Sequence, residues 1–241
     1  SIAGKTLKFP LWVSSMTGGT QHAAHINSNL AKACHQFGMG MGLGSCRILL
    51  DEPKYFSDFN VRKLIGDDLP FFANMGVAQL ETMISQNAED QLDKLIEDLQ
   101  ADGLIIHVNP LQEWFQPEGD IFKKPPIEIV ERLLEKASYP IIVKEVGQGM
   151  GPKSLEALLK LPIEAIDFGA AGGTNFSLLE ALRSNNKEMD AMKPMEQIGH
   201  SIYEMVELIN TLIAKLGSQR QCNMAIISGG VTNYLDAYYC M

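Results

Sequence analysis

Gly103-Leu-Ile-Ile-His107-Val-Asn109-Pro110-Leu-Gln112-Glu113 is the stretch on which the reading of this chain turns. It opens as a continuous apolar run, the pattern of a strand buried on both faces of a parallel sheet, and turns polar within a few residues. Side chains two apart in a strand share a face, so Ile105, His107 and Asn109 point the same way. Pro110 has no N–H to give to a ladder, so the strand is expected to stop there and leave Gln112 and Glu113 in the loop beyond. Four hydrogen-bonding or ionisable groups then gather at the carboxyl end of one buried strand. Parallel α/β proteins place ligands and chemistry at that end. The plainer alternative is a strand whose last residues simply meet solvent.

The pattern of short apolar runs recurs on both sides of this stretch. Leu7–Ser14, Gly38–Leu43, Pro70–Ala73, Pro140–Val146, Ala165–Phe168 and Ala225–Ile227 read as six further strands. Helical patterns lie between them. Ile26, Leu30, Cys34 and Phe37 share a face after the first strand, and Tyr55, Phe59 and Leu64 mark a less regular stretch after the second. Leu92, Leu95, Ile96 and Leu99 follow the third, at i, i+3, i+4 and i+7. Ile129, Leu133 and Lys136, with Val130 and Leu134 beside them, follow the fourth; Leu155, Leu158 and Leu159, stopped at Pro162, follow the fifth. The connection from strand six to strand seven is long. It holds one helix, marked by Ile202, Met205, Val206 and Ile209, and before it a polar segment, Arg183–Glu196, that reads as a mobile cover or as a surface insertion.

This alternation makes the chain α/β with a parallel sheet, and 241 residues suit one α/β barrel, read as a single domain over residues 1–241. Seven strands are visible and an eighth is not, because the sequence stops at Met241 partway into the helix after strand seven. A barrel short of one strand has two open edges, so the sequence is expected to be a portion of a longer chain. No apolar run is long enough to cross a bilayer, and the start shows no signal-peptide pattern. Cys34, Cys46, Cys222 and Cys240 are scattered without a Cys-x-x-Cys pair, as reduced thiols of a cytoplasmic protein are, and this spacing opposes a zinc site. The net charge of −9 opposes binding to nucleic acid and acidic membranes. It leaves room for a small phosphorylated ligand held by a few local cations and backbone N–H groups.

Glycine pairs recur at the same ends of successive strands. Gly172-Gly173-Thr174 and Gly229-Gly230 are candidates to cradle a phosphate or a flat ring, because glycine lets backbone N–H groups approach a ligand. None of these turns is a P-loop or a dinucleotide fingerprint. Lys144, ending the fifth strand, can set a positive charge beside an anionic cofactor or substrate; the alternative is a structural pair with Glu145, although neighbours in a strand face opposite ways. Arg47 after the second strand suits a bidentate grip on phosphate, or is a lone surface arginine. Glu113 offers one carboxylate, which together with ligand phosphates is a usual way of holding Mg²⁺. His22, His25, His35 and His200 lack metal-site spacing and read as surface or helix residues.

Ser15-Met16-Thr17-Gly18-Gly19, Gly44-Ser45-Cys46-Arg47, His107-Val108-Asn109-Pro110-Leu111-Gln112-Glu113, Val143-Lys144-Glu145-Val146-Gly147, Gly172-Gly173-Thr174 and Ser228-Gly229-Gly230 occur in that order. Together they resemble type 2 isopentenyl-diphosphate isomerase, a family of FMN-dependent TIM (β/α)8 barrels. The likeness spans essentially the whole chain, and its most specific parts are Asn-Pro-Leu-Gln-Glu and Val-Lys-Glu-Val-Gly. It implies interconversion of isopentenyl and dimethylallyl diphosphates in isoprenoid biosynthesis, with reduced FMN, Mg²⁺ and NAD(P)H as reductant. It also implies a homo-oligomer with a small-molecule diphosphate as its partner.

By the same resemblance Ser15, Met16, Thr17, Ser45, Asn74, Lys144, Thr174, Gly229 and Gly230 are flavin contacts. Arg47, His107, Asn109 and Gln112 contact substrate, Gln112 and His107 being the catalytic candidates, and Glu113 is the metal ligand. Three departures stand out. The family's basic N-terminal segment and its strand eight are absent from the sequence, and Cys46 stands where glutamine is common. Rival readings are an FMN-dependent barrel oxidoreductase of the 2-hydroxy-acid oxidase type and a non-catalytic flavin-binding protein. The first needs a histidine base and an arginine near strand seven, where Ser228-Gly229-Gly230-Val231 has neither.

Overall fold

The structure is a computed structural model that describes residues 1–15, 17, 22–116, 119, 122–183, 194, 195 and 197–241. Seven strands among these residues form one sheet in chain order: β1 (Trp12–Val13), β2 (Gly40–Gly42), β3 (Phe71–Gly76), β4 (Gly103–Val108), β5 (Ile141–Glu145), β6 (Ala165–Asp167) and β7 (Ala225–Ile226). The pairs β1–β2, β2–β3 and β6–β7 run parallel. Helices fall between successive strands. This is the strand–helix succession of a TIM barrel with seven of its strands. The chain divides into two compact units, residues 1–106 with 135–142, and residues 107–134 with 143–241. The division falls inside β4, after Ile106, and inside β5, after Ile142.

In the first unit β1 is much shorter than the expected Leu7–Ser14, because Pro10 cannot donate to a ladder; Phe9 and Leu11 stay exposed. β3 is longer than expected. Asn74, Met75 and Gly76 continue it, and all six of its residues are buried. α1 (Ala23–Phe37) buries Ala23, Asn27, Ala31 and Cys34, not the face expected from Ile26 and Phe37, both of which are exposed. Small side chains on that face let the helix lie close to its neighbours. The stretch through Tyr55, Phe59 and Leu64 is not one helix. It is α2 (Ile48–Asp51), a 3₁₀ turn at Pro53–Tyr55, α3 (Phe56–Phe59) and α4 (Arg62–Ile65), since Pro53 and non-helical backbone at Glu52 and Asn60 interrupt it. A helix not foreseen, α5 (Val77–Ser85), follows β3 directly, and the expected one is α6 (Asp90–Leu99), which buries Leu92, Leu95, Ile96 and Leu99. Gly103 opens β4 because a β-carbon there would lie 2.4 Å from the Pro140 carbonyl oxygen and 2.5 Å from the Phe72 ring. Lys136 lies past the helix expected to include it and pairs with Glu89 at 2.8 Å.

In the second unit the largest departure is α7 (Pro110–Phe115). Pro110 does end the strand, but it also opens a helix, because its fixed φ and missing N–H suit a first helical position. Gln112 and Glu113 are therefore helical residues and not loop residues. α8 (Pro126–Leu134), α9 (Pro152–Leu159) and α11 (Ile202–Leu216) bury the expected faces, led by Ile129 and Leu133, by Leu155 and Leu159, and by Met205 and Ile209. α10 (Phe176–Arg183), unforeseen, packs against α7, and α12 (Tyr234–Cys240) follows β7. Most of the polar segment Arg183–Glu196 lies outside the described residues. No helix among the described residues is long and apolar enough to cross a membrane. The four cysteines are free thiols, three of them buried.

Candidate functional site

In the first unit the residues singled out from sequence line the carboxyl ends of β1, β2 and β3. Ser15 is buried, and among the described residues its hydroxyl has no hydrogen-bond partner. Gly42 faces it so closely that a β-carbon there would stand 2.5 Å from Ser15 Oγ. An orphaned buried hydroxyl costs about 1–3 kcal/mol unless something else meets it. Thr17 is already engaged, its hydroxyl donating to Asn27 Oδ1 while its carbonyl accepts the Gly44 N–H at 2.9 Å. Asn74 is buried in β3. Its side-chain amide donates to the Leu43 carbonyl at 3.0 Å, and its own carbonyl accepts the Cys46 N–H at 2.8 Å. Asn74 thus holds the Leu43–Cys46 turn, from which half-buried Ser45 and exposed Arg47 project. Burial pushes the Cys46 thiol up to about 12, so it packs as a small apolar group. Met16 lies outside the described residues.

In the second unit β4 ends in His107, half-buried, and Asn109, fully buried. Asn109 precedes α7, and its side-chain amide donates to Gln112 Oε1 at 3.1 Å and to Glu113 Oε1 at 2.9 Å. One amide therefore sets the positions of both. Its own Oδ1 is left buried with no partner among the described residues. Lys144, only 3% exposed, donates from Nζ to the Glu145 carbonyl at 2.7 Å, and among the described residues no carboxylate pairs with it. Enclosed positive charge of this kind is costly to keep in a protein interior.

His107 reports that charge. Its pKa is pushed down to about 4, first by burial and then by the Lys144 ammonium. The ring is therefore neutral at physiological pH and meets a ligand as a neutral donor or acceptor. The folded state binds a proton at His107 less readily than the unfolded chain does, so stability from this group is complete above pH 6.5 and is lost as pH falls toward 4. The ¹H,¹³C signal of His107 is expected to stay fixed from pH 8 down to about 5. A titration midpoint near 6.5 would refute this.

The glycine turns after β6 and β7 meet one another. Gly229 has φ +82°, and a β-carbon there would fall 2.0 Å from the Ala170 carbonyl oxygen, so no other residue fits. A β-carbon on Gly172 would be 3.0 Å from Gly230 Cα. Ser228 Oγ donates to Asp167 and accepts the Gly169 N–H at 2.9 Å, which fixes the start of the Gly229-Gly230 turn. Thr174, which follows Gly172-Gly173, is exposed. A cavity of about 250 Å³ in this unit lies elsewhere, around Leu159, Ile209, Cys222, Met224 and Tyr239, and includes none of these residues.

No family model matches the chain. Over 186 residues it is 40% identical to the isopentenyl-diphosphate delta-isomerase of Rickettsia akari (strain Hartford), a match covering 77% of this chain and 53% of that protein. The isopentenyl-diphosphate delta-isomerase of Rickettsia prowazekii (strain Madrid E) is 35% identical over 234 residues, 91% of this chain and 65% of that protein. The chain is similar to isopentenyl-diphosphate delta-isomerases over most of its length. It spans between about half and two thirds of the length of these curated relatives. The likeness to isopentenyl-diphosphate delta-isomerases covers residues in both units, since the longer match takes in 91% of the chain.

Among the buried carboxylates to which sequence reasoning gave no functional role in the second unit are Glu145 and Glu180. Glu145 accepts backbone N–H groups from the loop it leads into. Glu180, on α10, pairs with Arg183 at 2.6 Å. A glutamate next to a strand-end lysine was a signal for the first; nothing local marks the second.

Proposed function

We propose that this chain carries the working face of a type 2 isomerase, which interconverts isopentenyl and dimethylallyl diphosphates using reduced FMN and Mg²⁺. The observation that carries the reading is the second-unit set: a buried Lys144 ammonium with no carboxylate partner among the described residues, a neutral His107, and Asn109 holding Gln112 and Glu113. The named likeness to isopentenyl-diphosphate delta-isomerases supports the substrate.

The residues present fit a flavin. Within the second unit Lys144 is a buried cation suited to an anionic ring, and Gly229 and Gly230 offer backbone N–H groups where no side chain fits; within the first, Ser15 Oγ is a buried hydroxyl with no partner among the described residues. Ser45, Asn74, Met16, Thr17 and Thr174 join as flavin contacts on the strength of their motifs. When bound in reduced form, FMN supplies the proton that an isolated alkene, a poor base, requires. Moving a double bond needs one proton added at one carbon and another removed nearby, with no net oxidation.

The protein's own groups do the rest. Lys144 holds negative charge in place where water is excluded. Glu113, whose carboxylate Asn109 orients, would hold Mg²⁺, and the metal would offset charge on the diphosphate. By their motifs Arg47 and His107 are each assigned to the diphosphate, His107 as a neutral ring. Gln112, aimed by Asn109, orients the reacting carbons. Reduction by NAD(P)H and homo-oligomeric assembly are part of the same proposal.

The test is anaerobic: full-length protein, reduced FMN and Mg²⁺ should convert isopentenyl to dimethylallyl diphosphate. Disturbing groups that only orient a metal ligand costs about 10–100-fold in affinity, so Glu113→Gln is expected to raise the half-saturating Mg²⁺ by at least about tenfold. An unchanged Mg²⁺ dependence would remove Glu113 from the metal site, and no isomerised product would end the proposal.

A further inference from the structure

We infer that Glu145 is a positioning residue, whose buried carboxylate organises the loop after β5 and thereby fixes where the Lys144 ammonium stands. Glu145 and Lys144 are adjacent in a strand and face opposite ways, so the link between them is not an ion pair. It runs through the backbone. Glu145 Oε2 accepts the N–H groups of Gly147, Gln148 and Gly149 at 2.7, 2.6 and 3.0 Å. Three consecutive donors converge on one oxygen, the arrangement by which a turn of backbone wraps an anion. Burial pushes the Glu145 carboxyl up, and the N–H groups of Gln148, Gly147 and Gly149 pull it back. The carboxylate is thus held by the loop and not by a cation.

That loop has little freedom left. Gly149 N–H donates to the Gly169 carbonyl at 3.0 Å, the Gln148 carbonyl accepts the His200 N–H at 2.8 Å, and Gln148 Nε2 donates to the Ile198 carbonyl at 2.9 Å. A β-carbon on Gly147 would lie 2.3 Å from the Thr174 carbonyl oxygen, so the loop leans on the turn that carries Thr174. The Glu145 carbonyl is equally pinned, since a β-carbon on Gly169 would come within 2.0 Å of it. That same carbonyl takes the Lys144 Nζ hydrogen bond at 2.7 Å. Turning the 145–146 peptide would therefore move the one acceptor that holds the ammonium, and the grip on the Glu145 side chain prevents that turn.

The effect on catalysis rests on the isomerase reading above; the positioning itself does not. His107 serves as a gauge because the Lys144 charge lowers its pKa. In the full chain, Lys144→Met removes the charge altogether and so sets the upper limit of the rise read by NMR titration. Glu145→Ala and Glu145→Asp, the latter charged but a methylene too short to reach all three N–H groups, are expected to give most of that rise. Glu145→Gln keeps a carbonyl oxygen for the N–H groups and is expected to restore the wild-type titration. FMN titration should follow the same order, with affinity down about tenfold for the alanine and aspartate variants and unchanged for glutamine.

If Glu145→Ala does not fold, Glu145→Asp decides alone. Folded alanine and aspartate variants that titrate His107 as the wild type does would overturn the inference. So would a glutamine variant that shifts it as far as alanine, because charge and not the backbone grip would then be responsible. Wild-type chain that binds no FMN would count against the isomerase reading alone, and the His107 titration would still decide the role of Glu145.

Discussion

Under the proposed isomerase function, replacing Lys144 by methionine is expected to lower kcat for isopentenyl diphosphate by about 10²–10³-fold, the scale seen when one preorganised electrostatic donor is removed from a water-excluded site. The reasoning starts from the cost of the group. An ammonium that is 3% exposed, with no carboxylate partner among the described residues, is held at the expense of stability. Methionine fills similar volume without a charge, which relieves that cost but leaves the Glu145 carbonyl without its donor at 2.7 Å. The two effects oppose one another. The change in unfolding free energy should therefore be smaller than the change in activation free energy, about 2.7–4 kcal/mol. Steady-state assay with reduced FMN beside a denaturant titration separates the two. A variant that keeps wild-type kcat would show that the enclosed charge plays no part in the reaction.

The parts of this site that could be read from sequence are those set by strand alternation. His107 and Asn109 two apart, and Lys144 ending another apolar run, follow from the period of a strand with no knowledge of tertiary contacts. The hydrogen bonds from Asn109 to Gln112 and Glu113 were hidden because Pro110 signals the end of a strand and the start of a helix equally well. Read as a stop, it left Gln112 and Glu113 in a loop with no reason to converge. The grip on Glu145 was hidden for a different reason, since it depends on the dihedral angles of Gly147 and Gly149, with φ +143° and +70°, and a glycine-rich loop permits many such conformations. Strand number and order were legible, while strand ends were not. Pro10 shortened β1, and β3 ran on through Asn74-Met75-Gly76 because burial on all sides favoured continued pairing. The face of α1 was misread, Cys34 apart, because Ala23 and Ala31 are small and carry little pattern, whereas the exposed Ile26 and Phe37 carry much.

The largest stability effect is expected far from any chemistry, at Arg62. Its guanidinium is 3% exposed and donates to the Gln100 carbonyl at 2.8 Å, the Gly66 carbonyl at 3.0 Å, the Leu69 carbonyl at 3.1 Å and Asp102 Oδ2 at 2.8 Å. The same Asp102 oxygen accepts the Phe71 N–H at 2.9 Å at the start of β3, and the guanidinium lies 5.0 Å from the Phe71 ring centre. One side chain thus ties α4, the turn before β3 and the segment before β4 within the first unit. Arg62→Met removes every one of these donors and leaves Asp102 with Lys5, at 2.6 Å, and the Phe71 N–H. Removing one partner of a buried pair costs about 3–5 kcal/mol, and for a chain of this size each kcal/mol is about 2–4 °C in melting temperature. A fall of roughly 10 °C is therefore expected, read by circular dichroism. Lys5→Met is the control. Its ammonium is partly exposed and holds the opposite oxygen of Asp102, so the loss should be no more than about 1 kcal/mol. Equal effects at Lys5 and Arg62 would mean that charge at Asp102 matters and the carbonyl contacts do not; a small effect at both would remove the cluster from any account of why β3 and β4 start where they do.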